Sequence, residues 1–90
     1  MNKIKILIAD DHKIVRMGLK ALLSSEKDMT VVGEADDGVA AVKAAVTLKP
    51  DIVIMDLMMP VMSGEEAIAE LHRLLPSVRA IVLTSFSSSD

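Results

Sequence analysis

Acidic side chains follow two apolar runs of the sequence, at the points where those runs end. Asp56 closes the run from 51 to 56, and Asp10 and Asp11 come directly after the run from 4 to 9. In a parallel sheet the carboxyl ends of neighbouring strands open on one crevice, so we expect the three carboxylates to lie together. Two unit charges about 4 Å apart repel by roughly 4 kcal/mol at an effective dielectric near 20, which favours a bound cation or a retained proton. Hard oxygen ligands at a half-open site suit Mg²⁺.

Helix capping is the alternative explanation for these acids. The side chain of an Asp that precedes a helix can accept a hydrogen bond from the first turn, and Asp11 could cap a helix that begins at His12. Two strand ends, one of which carries a doublet, make capping alone a weaker explanation. A second doublet, Asp36 and Asp37, follows an outer strand and precedes Gly38, and there capping and a solvated turn are favoured.

Length and composition predict one small domain. Ninety residues can bury somewhat over about 60% of the unfolded surface, which allows a modest core. No apolar run approaches the roughly 18 residues that span a bilayer, and the first residues lack the features of a signal peptide, so we expect a soluble cytoplasmic protein without membrane contact. The absence of cysteine excludes disulfides and Cys-ligated zinc. Interspersed charges with a net value of −3 argue against direct DNA binding by this chain.

The hydrophobic period alternates regularly between strand-like and helix-like runs. Strands are predicted over 4–9 (β1), 29–35 (β2), 51–56 (β3) and 79–84 (β4), and helices over 12–25 (α1), 37–49 (α2) and 64–75 (α3). In α1 the predicted apolar face consists of Val15, Leu19, Leu22 and Leu23, with Lys13, Arg16 and Lys20 elsewhere on the helix. This alternation predicts an α/β fold with a parallel sheet and right-handed crossovers.

With these elements placed, three segments resemble the receiver domain of two-component response regulators. They are LIADDH at 7–12, VIMDLMMP at 53–60 with Gly64 after it, and IVLTS at 81–85. The stretch 11–19, together with 32–35 and 83–86, is further similar to the LuxR-type transcription regulators, whose receivers precede a helix-turn-helix DNA-binding domain. The resemblance implies a flavodoxin-like (CheY-like), doubly wound parallel sheet and one receiver domain over residues 1–90.

Carried over position by position, the resemblance implies roles for individual residues. Asp56 matches the phosphoacceptor, which receives a phosphoryl group from a sensor histidine kinase. Mg²⁺ is expected on Asp10, Asp11, Asp56 and the backbone carbonyl of Met58, and Thr84 matches the hydroxyl that bonds a phosphoryl oxygen. His12 is expected at a helix start without a catalytic role. Beyond Mg²⁺-dependent self-phosphorylation and dephosphorylation at Asp56, no independent enzymatic activity is expected, and transcription would be controlled through a DNA-binding domain that is not in this chain.

The chain departs from the family pattern at its end. The sequence stops just after β4, so the last helix, strand and helix of the family fold are expected to be missing, with a lysine that pairs with the phosphoryl group. An exposed β4 edge then predicts a homo-oligomer or an exchanged dimer. Two alternatives stay open: a fragment that cannot be phosphorylated and acts as an interaction or assembly module, and a Mg²⁺-dependent phosphatase with an aspartate nucleophile. The phosphatase is less favoured because its two acids would stand two residues apart on the first strand.

Overall fold

The computed structural model describes residues 3–83 of the chain. Within them four strands alternate with three helices, in the order β1 (Ile4–Ala9), α1 (Lys13–Ser24), β2 (Met29–Ala35), α2 (Gly38–Leu48), β3 (Ile52–Asp56), α3 (Gly64–Leu74) and β4 (Arg79–Leu83). The seven predicted elements are confirmed, and every described boundary lies within one residue of the predicted one. Thr84, which was predicted to end β4, lies outside the described residues.

The strands form one parallel sheet in the order β2-β1-β3-β4. This order confirms the predicted flavodoxin-like, doubly wound fold. Ala9 at the end of β1 pairs with Ala35 of β2 on one side and with Met55 of β3 on the other. Because the three strands end level with one another, the residues that follow Ala9 and Met55 come to the same edge of the sheet.

The main core lies between the sheet and the helices α2 and α3. Side chains alternate along a strand, so Leu7 and Ala9 of β1 join this core while Ile6 and Ile8 face the opposite side. Four helix residues, three of them alanine, pack against four strand residues in this core: Ala41, Ala45, Ala67 and Leu71 from the helices, and Leu7, Ala9, Val53 and Met55 from the strands. Strand β1 is therefore buried on both faces over residues 6–9, as its apolar sequence predicts, whereas in β3 Val53 and Met55 are buried and Ile52 and Ile54 are partly exposed.

The first helix packs less deeply than the other two. In the described part of the chain no residue of α1 is fully buried, whereas α2 and α3 each bury three. On the predicted apolar face of α1, Val15, Leu19 and Leu23 are partly buried, whereas the side chain of Leu22 is exposed. Leu22 lies seven residues after Val15 and only about 20° from it around the helix, so its exposure reflects the shallow packing of α1 and not its angular position.

Local signals explain where the helices begin and end. The Asp37 carboxylate accepts a hydrogen bond from the backbone of Ala40 at 2.7 Å and caps α2, which confirms the capping role predicted for this doublet. Ser63 and Glu66 form a capping box that begins α3. Lys49 ends α2 in the left-handed region, at φ 49°, directly before Pro50. Of the helices within residues 3–83, none combines the length and hydropathy that crossing a bilayer requires.

Candidate functional site

Four side chains meet at the carboxyl edge of the sheet. Asp10, Asp11, His12 and Asp56 each offer one ligand atom, and these atoms all lie within 4.8 Å of one another. The pairing of β1 with β3 brings them together, since Ala9 and Met55 are register partners and the acids follow them directly. The predicted meeting of the three carboxylates is therefore confirmed, while the roles assigned to them remain predictions. We call these four residues the acidic cluster.

Two oxygens of the acidic cluster are buried and have no hydrogen-bond partner in the described part of the chain. The Asp10 and Asp56 side chains are each 1% exposed. The Oδ2 atom of each has no hydrogen-bond partner among the described residues. A buried acceptor without a partner costs on the order of 1–3 kcal/mol, and more when it carries charge. Carboxylate oxygens that converge on an open edge are the ligand type that Mg²⁺ prefers, so these residues fit a magnesium ion.

His12 also belongs to the acidic cluster, although its sequence position predicts only a helix start. Its Nδ1 lies 3.0 Å from Oδ1 of Asp10 and 3.1 Å from Oδ1 of Asp11, and its backbone N–H donates to Asp10 at 2.7 Å. The hydrogen bond to Asp10 and the charge of Asp11 raise the pKa of the imidazole. His12 also occupies the N-cap position of α1, so the alternative in which Asp11 caps this helix is wrong. Its position directly after two acids is the sequence signal that could have indicated the contact.

The surroundings of Asp56 favour its neutral form. Burial raises the pKa of the carboxyl group, and the charges of Asp10 and Asp11 raise it further. The backbone N–H of Met58, which donates to Oδ1 of Asp56 at 3.1 Å, and the nearby His12 act in the opposite direction. A cation beside Asp56 would likewise lower the pKa of the carboxyl group and so favour its ionised form.

The loop after Asp56 is held close to the strand end. An added Cβ at Gly64 would overlap the backbone carbonyl oxygen of Asp56, so only glycine fits there without a backbone shift. The N–H of Gly64 donates to the carbonyl of Leu57 at 3.1 Å. The backbone N–H of Met58 donates a hydrogen bond to the Asp56 carboxylate, so the Met58 backbone lies next to the acidic cluster. The role of the Met58 carbonyl as a metal ligand remains a prediction.

The same loop contains a strained residue. Val61 has φ 70°, and the N–H of Met62 donates to the carbonyl of Pro60 at 2.7 Å, which closes a three-residue turn around Val61. A positive φ at a β-branched residue costs on the order of 1–3 kcal/mol. The surrounding contacts must therefore fix the loop conformation.

Thr84 is the remaining predicted site residue. It follows Leu83, which is the register partner of Asp56. Thr84 itself lies outside the described residues, and its role as a phosphoryl-sensing hydroxyl remains a prediction.

A flavodoxin-like sheet with acids at the ends of β1 and β3 is the arrangement that the receiver resemblance implied. Residues 6–90 match the family model of the response regulator receiver domain, and the chain belongs to this family. The transcriptional regulatory protein LiaR of Bacillus subtilis is 48% identical over 87 residues, which cover 97% of this chain and 41% of LiaR. A two-component response regulator of the LuxR family from Aurantimonas sp. SI85-9A1 is 32% identical, with a TM-score of 0.88 over 96% of this chain and 61% of that chain, so the resemblance to that group is confirmed as well.

Solved structures agree with this assignment. The response regulator domain of Thermotoga maritima CheB is 40% identical and superposes with a TM-score of 0.90 over 98% of this chain and 65% of that chain. RcsB from Salmonella enterica serovar Typhimurium, solved on promoter rprA with the phosphomimetic BeF3-, is 36% identical with a TM-score of 0.84 over 92% of this chain and 43% of that chain. The chain thus spans less than half of LiaR and of RcsB.

Proposed function

We propose that residues 1–90 belong to a single phosphoacceptor receiver domain in which Asp56 accepts a phosphoryl group and Asp10, Asp11, Asp56 and the Met58 carbonyl hold Mg²⁺. The observation that carries this proposal is the convergence of three carboxylates, two of which have a buried oxygen without a partner among the described residues. Membership of the receiver family supports the same roles. An acidic cluster that only stabilised the fold would leave those oxygens at a net cost.

The transfer requires an ionised Asp56. Its carboxylate oxygen forms a bond to phosphorus while the bond from phosphorus to the imidazole nitrogen of a phosphohistidine breaks, and the electron pair leaves with the imidazole. When bound, Mg²⁺ supplies positive charge that offsets the negative charge of the transferring group. The Met58 N–H orients the nucleophile through its hydrogen bond to Oδ1. His12, when protonated, adds a positive charge beside the same carboxylates.

We infer the partners of the protein from its family. A sensor histidine kinase in the cytoplasm donates the phosphoryl group, the Thr84 hydroxyl registers it, and a helix-turn-helix domain elsewhere in the protein carries the response to DNA. The similarity to the transcriptional regulatory protein LiaR and to the promoter-bound RcsB structure supports a transcriptional output. The chain itself spans 41% of LiaR, so these partners concern the longer protein.

Incubation with Mg²⁺ and acetyl phosphate, followed by intact mass measurement, tests the proposed chemistry. We expect one phosphoryl adduct on the wild type, none on Asp56→Asn, because an amide is a poor nucleophile, and an unchanged yield on Asp36→Asn, which removes an exposed acid outside the acidic cluster. An adduct that survives in Asp56→Asn would show that another residue is the acceptor. Continuous release of phosphate would favour the phosphatase, and no adduct on the wild type would favour the inert module.

We also propose that a second copy of the chain covers β4. Ile81 and Val82 point to opposite faces of this strand and are 52% and 46% exposed. Within the described range β4 pairs with β3 alone, and its outer edge contains no proline. Such an edge favours strand pairing between copies. Light scattering at increasing concentration should show association, and Val82→Lys should reduce it. A cooperative melt without any concentration dependence would contradict this proposal.

A further inference from the structure

One guanidinium group joins α1, the end of β1 and β2 next to the acidic cluster. Nη1 of Arg16 donates to the backbone carbonyl of Asp10 at 2.6 Å, and Nε donates to Oε1 of Glu34 at 3.1 Å. Lys20 contacts the other oxygen of Glu34 at 3.4 Å. The Arg16 side chain is only 17% exposed, although it lies on a helix whose other basic residues face solvent. We call the pair Arg16 and Glu34 the arginine clamp.

We propose that Arg16, held by Glu34, is a positioning residue that fixes the peptide between Asp10 and Asp11 and thereby sets the affinity of the acidic cluster for Mg²⁺. This inference rests on the proposed function, since it assumes that the acidic cluster binds the ion. It goes further by assigning a role to two residues that are not themselves ligands.

The geometry of the peptide group explains how Arg16 could act on both carboxylates. The Asp10 carbonyl and the Asp11 N–H belong to one planar unit, so a hydrogen bond to the carbonyl fixes the orientation of both. The two carboxylates extend from the Cα atoms on either side of this unit. Rotation of the unit would move one carboxylate relative to the other, and a magnesium ion tolerates little departure from octahedral geometry. The arginine clamp opposes that rotation.

Arginine is the residue type that this position requires. Its planar fork reaches two acceptors in fixed directions, here a backbone carbonyl and a carboxylate, whereas a lysine ammonium is a point charge that cannot reproduce the fork. Partial burial raises the pKa of Glu34, but the hydrogen bonds from Arg16 and Lys20 outweigh it and lower the pKa overall. Glu34 is therefore ionised at neutral pH and holds the fork in place.

The alternative is that Arg16 and Glu34 form an ion pair that only stabilises the fold and has no effect on metal binding. A cavity of about 250 Å³ borders the arginine clamp, lined by Arg16, Glu34, Ala35, Asp36 and Ala40. A smaller or apolar side chain at position 16 can therefore be accommodated without repacking the core. Lys20 offers a matched control, because it contacts the same carboxylate and carries the same charge but makes no hydrogen bond to Asp10 within the described structure.

Calorimetric titration of the full 90-residue chain with Mg²⁺ tests the inference by measuring the affinity for the ion. The wild type is compared with four variants: Arg16→Met, Arg16→Lys, Glu34→Gln and Lys20→Met. We expect Arg16→Met to weaken the affinity at least about tenfold, the loss that removal of an outer partner of a metal ligand produces. Arg16→Lys should restore part of it, Glu34→Gln should weaken it less, and Lys20→Met should leave it unchanged. In the metal-free chain, the carbonyl ¹³C resonance of Asp10 should shift in Arg16→Met and not in Lys20→Met.

Two results would overturn the role of the arginine clamp. One is wild-type affinity in Arg16→Met, and the other is an equal loss in Lys20→Met, which would show that total charge rather than position controls binding. Failure of the wild type itself to bind Mg²⁺ is a separate result that removes the proposed function together with this inference.

Discussion

Two acidic doublets stand at the ends of neighbouring strands, and the fold uses them differently. Ala9 and Ala35 are register partners, so Asp10 and Asp36 follow equivalent positions of β1 and β2. Asp37 of the second doublet caps α2 through its bond to the Ala40 backbone. The first doublet caps nothing, and one of its oxygens is buried without a partner in the described structure.

The neighbouring strand explains the difference. Strand β1 lies between β2 and β3, and β3 brings Asp56 to the same edge. Strand β2 is the edge strand of the described sheet, so no strand on its outer side brings an acid to the second doublet. Residue type and spacing are the same in the two doublets. Whether an acid at a strand end performs chemistry or caps a helix therefore depends on what the next strand supplies.

The largest expected effect is on the free energy of unfolding, which should change when the buried Asp56 is replaced by asparagine but not when the capping Asp37 is. Burial raises the pKa of Asp56, so the folded state holds this proton to higher pH than the unfolded state. The contribution of Asp56 to stability is therefore full below its unfolded pKa and is lost as pH rises through its folded pKa. Without Mg²⁺ at neutral pH, Asp56→Asn should raise the free energy of unfolding by about 1–3 kcal/mol, as measured by urea denaturation.

Asp37→Asn is the control for that measurement, because asparagine caps a helix as well as aspartate does and stability should not change. The gain in Asp56→Asn should shrink toward acid pH, where the wild-type carboxyl group is also neutral. Equal stability of Asp56→Asn and the wild type at every pH would contradict the assigned burial cost.

A second prediction compares metal affinity between the doublets. Asp11→Asn should weaken Mg²⁺ binding at least about tenfold, or about 1.4 kcal/mol, because even outer partners of metal ligands contribute this much. Asp36→Asn should leave the affinity unchanged. Both variants should fold, since neither side chain accepts a helix-capping bond in the described structure. Unchanged affinity in Asp11→Asn would remove this residue from the metal site.

The smallest effect concerns the cap itself. Asp37→Ala should lower the free energy of unfolding by about 1 kcal/mol, because the backbone N–H of Ala40 loses its acceptor. Mg²⁺ affinity should not change. Thermal denaturation with and without Mg²⁺ measures both quantities, and a reduced response to Mg²⁺ in Asp37→Ala would show that the two doublets are coupled.

Much of this arrangement was predictable from the sequence. Each strand and helix has its own local hydrophobic period, and the parallel order of the strands brings Asp10, Asp11 and Asp56 to one edge. The resemblance to the receiver family rested on these same segments. Agreement between local pattern and global topology is what makes such a prediction possible.

The side-chain contacts between elements were not predictable in the same way. Arg16 was placed among the polar residues of α1, and only the packing of α1 beside β1 and β2 shows that its guanidinium reaches Asp10 and Glu34. The ring of His12 turns toward the acids for a similar reason. Helical spacing defines which side of a helix a residue occupies, but a hydrogen bond also needs the rotamer and the distance to a neighbouring element.

The acids of the cluster come from residues 10, 11 and 56, so they meet only after β1 has paired with β3 across the whole of β2 and two helices. Contacts between segments so distant along the chain form slowly, because loop closure must precede them. We expect the contact between β1 and β3 to form late in folding, so an ion held there would have little influence on the early chain. Stabilisation of a late contact slows unfolding and leaves the folding rate nearly unchanged. Magnesium would then lengthen the lifetime of the folded receiver without helping the chain to reach it.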